Sequence, residues 1–218
     1  MSEIRVENII GETGTDAVKF TKGINVTGIA TATNVSVGSS VTASTFHGNG
    51  ASLTGVSAGK VLQVVQGTKT DTFNTTSASA AEVTGLSVSI TPASSSNKVL
   101  LSIHLGSVGG ETNMYAGFTL YREIGGSATD LLISTSGTGN RPNVTFSVNT
   151  NAQSNYHSNP ASFQLLDSPN TTSAITYKVK VRSGYANKNI YVNRFHQQDN
   201  ENYTFHTAST YIAQEIEA

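Results

Sequence analysis

Histidines and carboxylates are the groups in this 218-residue chain that could do chemistry, and their spacing argues against most of it. His47, His104, His157, His196 and His206 show no His-x-His or His-x-x-x-His spacing, so no single element offers a pair of metal ligands. Three copies of one histidine around a symmetry axis would make a site, and His47 is the position for it. Such a site also needs supporting hydrogen bonds, so the expectation is no metal. The chain has no cysteine, which excludes disulfides, thiol catalysis and Cys-based zinc sites. Asp199 and Glu201 share a polar loop, whereas glycan cleavage needs two carboxylates set about 5–9.5 Å apart across the scissile bond. No Gly-x-Ser-x-Gly elbow and no phosphate-cradling loop occurs. The expectation is a chain without catalytic residues or cofactor.

Recognition chemistry is better represented. Sugars are held by apolar or aromatic faces and oriented by a few polar groups. The stretch 196–207 contains His196, Gln197, Gln198, Asp199, Asn200, Asn202, Tyr203 and His206, and Asn140 and Arg141 lie in a second polar loop. The candidate ligand-binding set is Asn140, Arg141, His196, Gln197, Asn200, Tyr203 and His206.

Strands must position them. Residues 60–218 read as about ten strands by period-two alternation. Val61–Gly67 is the first, and Leu86, Val88 and Ile90 share a face of the second. Val99, Leu101, Ile103 and Leu105 do so in the third, with Leu100 and His104 opposite them. Met114, Ala116, Phe118 and Leu120 mark the fourth, Leu131–Thr135 a short fifth, and Val144, Phe146 and Val148 the sixth. Phe163 and Leu165 mark the seventh. Ile175, Tyr177, Val179 and Val181 alternate with Thr176, Lys178, Lys180 and Arg182 in the eighth. Tyr191, Asn193 and Phe195 oppose Ile190 and Val192 in the ninth, and Ile212 and Ile216 close the tenth. Turn-forming clusters separate them, and no helical period is sustained. This pattern predicts an all-β, jelly-roll-like sandwich head over 60–218. If each strand crosses the head once, loops 68–82, 108–113, 137–142, 168–173 and 196–207 fall at the end away from residue 60. Apolar residues on second faces, such as Leu100, predict that part of the outside is covered by other copies of the chain.

The N-terminal quarter has a different character. Residues 1–22 read as a short β element, with Ile4 and Val6 in one strand and Ala17–Phe20 in another. An isolated hairpin is marginal in water, so this element needs a partner. Residues 23–59 hold an echo at an offset of eleven residues: Asn25-Val-Thr27 with Ser36-Val-Gly38, and Thr31-Ala-Thr33 with Thr42-Ala-Ser44. Isolated apolar residues among small polar ones cannot bury themselves in one copy, but three copies around an axis would form a thin core. The prediction is a homotrimeric fibrous β stalk with Val26, Ile29, Val37, Val41, Phe46, Leu53 and Val56 toward the axis. Gly48, Gly50, Gly55 and Gly59 mark the joint between stalk and head.

The net charge is −1 with no basic cluster, which argues against nucleic acid. No run of about 20 apolar residues occurs, so no membrane insertion is expected. Met1–Val6 lacks the apolar core of a signal peptide, and synthesis in the cytoplasm is expected.

Thr45-Phe-His-Gly-Asn-Gly-Ala-Ser-Leu-Thr-Gly-Val56 resembles an F-x-G-(D/N)-G-(S/A)-x-L-T-G-(V/I) motif of tail-fibre and other virion structural proteins of bacteriophages, notably those of marine bacteria. Gly59–Gln66, Val83–Pro92 and Ser96–Leu100 resemble the first three head strands of those proteins, and Ile212–Ile216 their final strand. Ser2–Ile9 is similar to their start, while 106–206 matches in style rather than in motif. The resemblance implies a homotrimeric virion fibre made in the host cytoplasm. It implies an attachment region at 1–22 that binds other virion proteins, a shaft and joint at 23–59, and a head at 60–218 that contacts a host surface glycan. The alternative is a capsid or neck decoration fibre with no host ligand.

Overall fold

Alternation of the kind seen at Val99–Leu105 obliges a strand to bury one face, and a second sheet must cover it. The computed structural model describes residues 25–31, 35, 37, 38, 40–42, 60–150 and 155–218. The chain divides into two compact units, Met1–Thr54 and Gly55–Ala218. Of the first, the described residues carry no regular secondary structure. There Val26, Ile29, Val37 and Val41 are 51%, 92%, 46% and 56% exposed in the single chain. The 1–22 element, His47 and the axis positions Phe46, Leu53 and Val56 lie outside the described residues.

Among its described residues the second unit holds eleven strands: β1 Val61–Lys69, β2 Phe73–Thr75, β3 Ala81–Ile90, β4 Lys98–Gly110, β5 Tyr115–Ile124, β6 Ser127–Leu131, β7 Phe146–Asn149, β8 Ser158–Asp167, β9 Ile175–Ser183, β10 Ile190–Val192 and β11 Ser209–Ile216. All pairings are antiparallel. Three pairs of segments lie end to end. β10 and β11 run along successive parts of β4, β1 and β2 run along β11 and β10, and β6 and β7 run along β5. The six and five segments of the two sheets therefore form two layers of four lines each. Sheet A has the order β1/β2, β11/β10, β4, β8, and sheet B the order β3, β9, β5, β6/β7. The first line pairs with the last, β3 with β9, β4 with β8, and β5 with β6/β7. This nested pairing is that of a jelly roll.

Several boundaries differ from the sequence expectation. β2 lies inside the stretch read as loop 68–82, and β6 ends at Leu131 instead of continuing to Thr135. Val144 precedes β7, and β10 stops at Val192, before Asn193 and Phe195. Loop 168–174 joins β8 to β9 at the end where β1 begins and β11 finishes, not at the opposite end. Residues 132–145 and 193–208 are not hairpin tips; each interrupts a strand line. The far end carries 76–80, 111–114 and 184–189.

The core is the inward face of both sheets, including Val99, Leu101, Ile103 and Leu105 of β4, Phe118 and Leu120 of β5, and Tyr177, Val179 and Val181 of β9. Phe118, Phe146 and Phe163 stack at centroid spacings of 5.0 and 5.3 Å, joining sheet B to sheet A at one open edge. At the other edge the two backbones nearly touch, since a Cβ on Gly67 would lie 1.8 Å from Ser87 O. Pro160 sits in β8, which pairs only with β4, where the register between Leu105 and Val108 shifts. An edge strand at a bulge is where a missing N–H is tolerated.

Two buried carboxylates fasten the layers. Asp167 takes bonds from Arg122 Nη1 at 2.5 Å and Tyr177 OH at 2.8 Å, so β8 of one sheet is tied to β5 and β9 of the other. Burial first, then the Asp167 charge and bond, push the Tyr177 phenol well up. Glu215 of β11 has no exposed surface. It accepts from Asn97 Nδ2 at 2.6 Å, Gln63 Nε2 at 2.6 Å and the Ala93 N–H at 2.7 Å. Burial works to raise its pKa, but the bonds from Asn97, Gln63 and the Ala93 and Ser94 backbone outweigh it and hold the carboxyl below its ordinary value.

Replacing Glu215 with Gln turns an amide N–H toward groups that are all donors. The expected loss is about 2–3 kcal/mol of folding stability, read as a lower urea midpoint with unchanged slope. Because the folded pKa is depressed, the contribution of Glu215 is present above the unfolded value of about 4.3 and is lost as pH falls through the folded value. The wild-type midpoint therefore drops in that acidic window by more than that of Glu215→Gln.

Candidate functional site

Asn193 is where the β10/β11 line leaves the sheet. It has φ +67°, a left-handed conformation that asparagine tolerates better than most residues. It is fully buried. Its Nδ2 donates to Lys69 O at 2.9 Å and Asp71 O at 3.0 Å, and its Oδ1 accepts from Ser209 Oγ at 2.5 Å. Its backbone N–H donates to Ser107 O, and its carbonyl accepts from Thr207 N–H. The stretch between is an Ω-type loop pinched at its neck.

The sequence-predicted residues of this loop are together, but several are engaged by one another or by neighbouring tyrosines. Tyr156 OH donates to Asp199 Oδ2, and Gln197 Nε2 donates to Asp199 Oδ1 at 2.6 Å. These bonds hold the Asp199 carboxyl below the usual range, and the Asp199 bond pushes the Tyr156 phenol up. Gln198 Nε2 meets His206 Nε2 at 2.6 Å, and His196 Nδ1 meets Tyr191 OH at 3.0 Å. Arg194 lies 4.3 Å from the Tyr191 ring centroid and donates to the Phe195 and His196 carbonyls. Exposed groups remain on the outside: Asn200, Tyr203 edge-on to Tyr156 at 5.5 Å, and Phe205. A depression of about 330 Å³ is lined by Gln198, Asp199, Asn200, Glu201, Thr204 and His206. Asn140 and Arg141 belong elsewhere, on the 132–145 interruption of sheet B. Arg141 lines a different depression with Tyr115, Pro142, Val144 and Arg182.

The outer faces of the two sheets differ in kind. Sheet B presents a lattice of charges. Lys178 pairs with Glu123 at 3.0 Å and Glu82 at 3.5 Å, and Lys180 pairs with Asp130 at 3.0 Å. Lys180 also lies 4.3 Å from the Tyr121 centroid, and Tyr121 OH donates to Glu82 at 2.7 Å. Sheet A presents Leu62, Val64, Gln66 and Thr68 of β1, Thr210, Ile212, Gln214 and Ile216 of β11, Lys98, Leu100, Ser102 and His104 of β4, and Pro160, Ser162, Gln164 and Leu166 of β8. Lys98 is the one lysine, arginine, aspartate or glutamate among them. Leu100 and His104 lie on this second face, as their alternation requires. Ser102, His104, Ser162, Gln164, Thr210 and Ile212 line a hollow of about 490 Å³ there. β1 is also an open edge, and its Val61, Leu62 and Val64 are 51%, 43% and 57% exposed. Natural edges usually carry charge or proline at such positions.

The sequence signal for this face was the presence of aliphatic residues at alternate positions where a solvated strand would be polar. The alternation of the eighth predicted strand sets Arg182 opposite the apolar face. The signal missed was its position beside Gly117, which only the β5–β9 register reveals.

No family model matches the chain, and no curated protein matches it. Two solved structures of infectious bursal disease virus contain chains of distant likeness. The Gx strain chain is 16% identical with TM-score 0.38, covering 72% of this chain and 37% of that one. The Gt strain chain is 14% identical with TM-score 0.32, covering 72% and 38%. This chain thus spans well under half the length of either.

Asn193→Gly keeps the left-handed backbone but removes three buried side-chain bonds, with an expected cost of about 2–4 kcal/mol. Asn193→Ala adds left-handed strain of about 1 kcal/mol. Urea midpoints should fall in the order wild type, Gly, Ala, and Ala equal to Gly would refute the strain assignment.

Proposed function

We propose that the chain is a non-enzymatic virion fibre protein whose heads pack as a homotrimer through the outer face of sheet A, leaving sheet B and the far end to meet the host surface. The observation that carries the reading is the contrast between the two faces. Sheet B pairs its charges as a solvated surface does. Sheet A offers aliphatic and uncharged polar groups across four strands and an unguarded edge, the pattern of a surface covered in the assembled state. Further copies suit this face because Lys98 is the one charge on it to repel its like, and closed symmetry sets the same surface of every protomer toward the axis. The Thr45–Val56 motif adds the resemblance to phage fibres, and exposed Val26, Ile29, Val37 and Val41 fit a shaft completed by other copies. Residues 1–22 would join the fibre to other virion proteins.

A decoration fibre without a host ligand is the second reading. It is favoured by the way Asp199, Gln197, Gln198 and His206 are bound up within their own loop. An antibody raised against the chain distinguishes the two on intact particles. Labelling of host-facing fibres together with blocked adsorption supports adhesion. Labelling of capsid or neck with normal adsorption selects decoration, and no labelling of particles refutes both.

The chain has no cysteine, so single-cysteine variants report on the faces directly. Val64→Cys is expected to react with a maleimide at least tenfold more slowly than Ser89→Cys on sheet B. Denaturation should remove the difference, and equal native rates would refute coverage of sheet A.

A further inference from the structure

Arg182 is the last outward residue of β9 and lies opposite Gly117 of β5. A Cβ on Gly117 would lie 2.9 Å from Val144 Cγ1 and 3.2 Å from Arg182 Cγ. Only a glycine there lets the arginine stem lie flat on the sheet against the 141–144 segment. Arg141 reaches the same depression, of about 350 Å³, and Pro142, Val144 and Tyr115 supply its walls. Tyr115 is exposed and packs against exposed Tyr185 with centroids 6.5 Å apart.

The two arginines are set apart from most other cations of the head. Lys60, Lys69, Arg122, Lys178 and Lys180 each have a carboxylate partner. Lys188 and Arg194 donate to backbone carbonyls. Among the described residues Arg182 makes no hydrogen bond or ion pair, and its Nε is buried without an acceptor. The Arg141 guanidinium has one bond, to Thr138 Oγ1 at 2.8 Å. A buried donor without an acceptor is a rare and costly arrangement. A guanidinium fork is matched by a planar carboxylate, and an apolar wall beside it suits the C–H face of a sugar ring.

We infer that this depression binds an acidic sugar residue, its carboxylate on Arg182 and Arg141 and its ring against Pro142, Val144 and Tyr115. The inference rests on the adhesion reading above and gives that reading a ligand class. The site lies on the charged face of the head at the end away from Lys60, so packing through sheet A leaves it open. An acidic peptide would satisfy the arginines equally but has no ring for the apolar wall.

The test is a titration of the full chain with galacturonate, glucuronate and sialyl oligosaccharides, each beside its methyl ester, and with an oligoglutamate peptide. At least one acidic sugar should bind saturably, with its ester and the peptide at least tenfold weaker. Arg182→Gln and Arg141→Gln should each weaken binding at least tenfold at an unchanged melting midpoint, and Arg182→Lys should fall between. Arg141 is on an exposed loop, so its variant remains informative if Arg182→Gln fails to fold. Binding of no acidic sugar, equal binding of acid and ester, tighter binding of the peptide, or full binding by Arg141→Gln would each overturn the inference. In a whole-cell binding assay, adhesion that both Gln variants retain removes this site and leaves adhesion standing. If the wild type adheres to no cell tested, the adhesion reading falls, and the titration alone decides the site.

Discussion

The pairing of the first strand with the last governs this head. β1 lies antiparallel to β11 from Val61 opposite Ile216 to Lys69 opposite Ser209. That pairing brings chain entry and exit to one end, where the Glu217 N–H donates to Lys60 O at 2.9 Å. It also seats Gln63 against Glu215, whose carboxylate reaches on to Asn97 and the Ala93 N–H. One buried charge thus ties the first strand, the β3–β4 connection and the last strand. With this line fixed, the remaining strands nest inside it pair by pair. The far end is left to the short connections 76–80, 111–114 and 184–189.

The same pairing composes the outer face of sheet A. Val64 comes beside Gln214, which lies beside Leu100, which lies beside Leu166. An aliphatic and amide row runs across four strands with no charge in it. On sheet B the equivalent cross-strand neighbours are ion pairs, Lys178 with Glu82 and Glu123, and Lys180 with Asp130. Such exposed pairs add only about 0–1 kcal/mol each to stability. Their significance is that they mark the face that meets water. The division gives the head one charged face and one nearly uncharged face, and Arg182 and Arg141 stand on the charged one.

The fold was legible where one residue decides between burial and exposure. The Val99–Leu105 and Ile175–Val181 alternations place those strands without further information, and their turn residues bound them. The interruptions were not legible. Ile190, Tyr191 and Val192 are all buried, so β10 shows no alternation, and the exit at Asn193 depends on carbonyls of Lys69 and Asp71 far away in sequence. Placing 196–207 at the end away from residue 60 follows from counting two crossing strands where the chain makes one line in two collinear pieces. Of the candidate site, the polar and aromatic content of 196–206 was visible, but not that Tyr156 and Gln197 would engage Asp199. Arg141 was visible as a loop cation. Its partner Arg182 was not, because the match of Arg182 to Gly117 belongs to strand register and not to local sequence.

The most direct test of the account is the solution mass of the intact chain by size-exclusion chromatography with multi-angle light scattering. The account predicts a species of three times the 22.8 kDa chain mass. It also predicts that the double variant Val64→Glu, Leu166→Glu shifts toward the single-chain mass while its circular dichroism stays β-rich. A wild-type chain that runs as a stable 22.8 kDa monomer would contradict it.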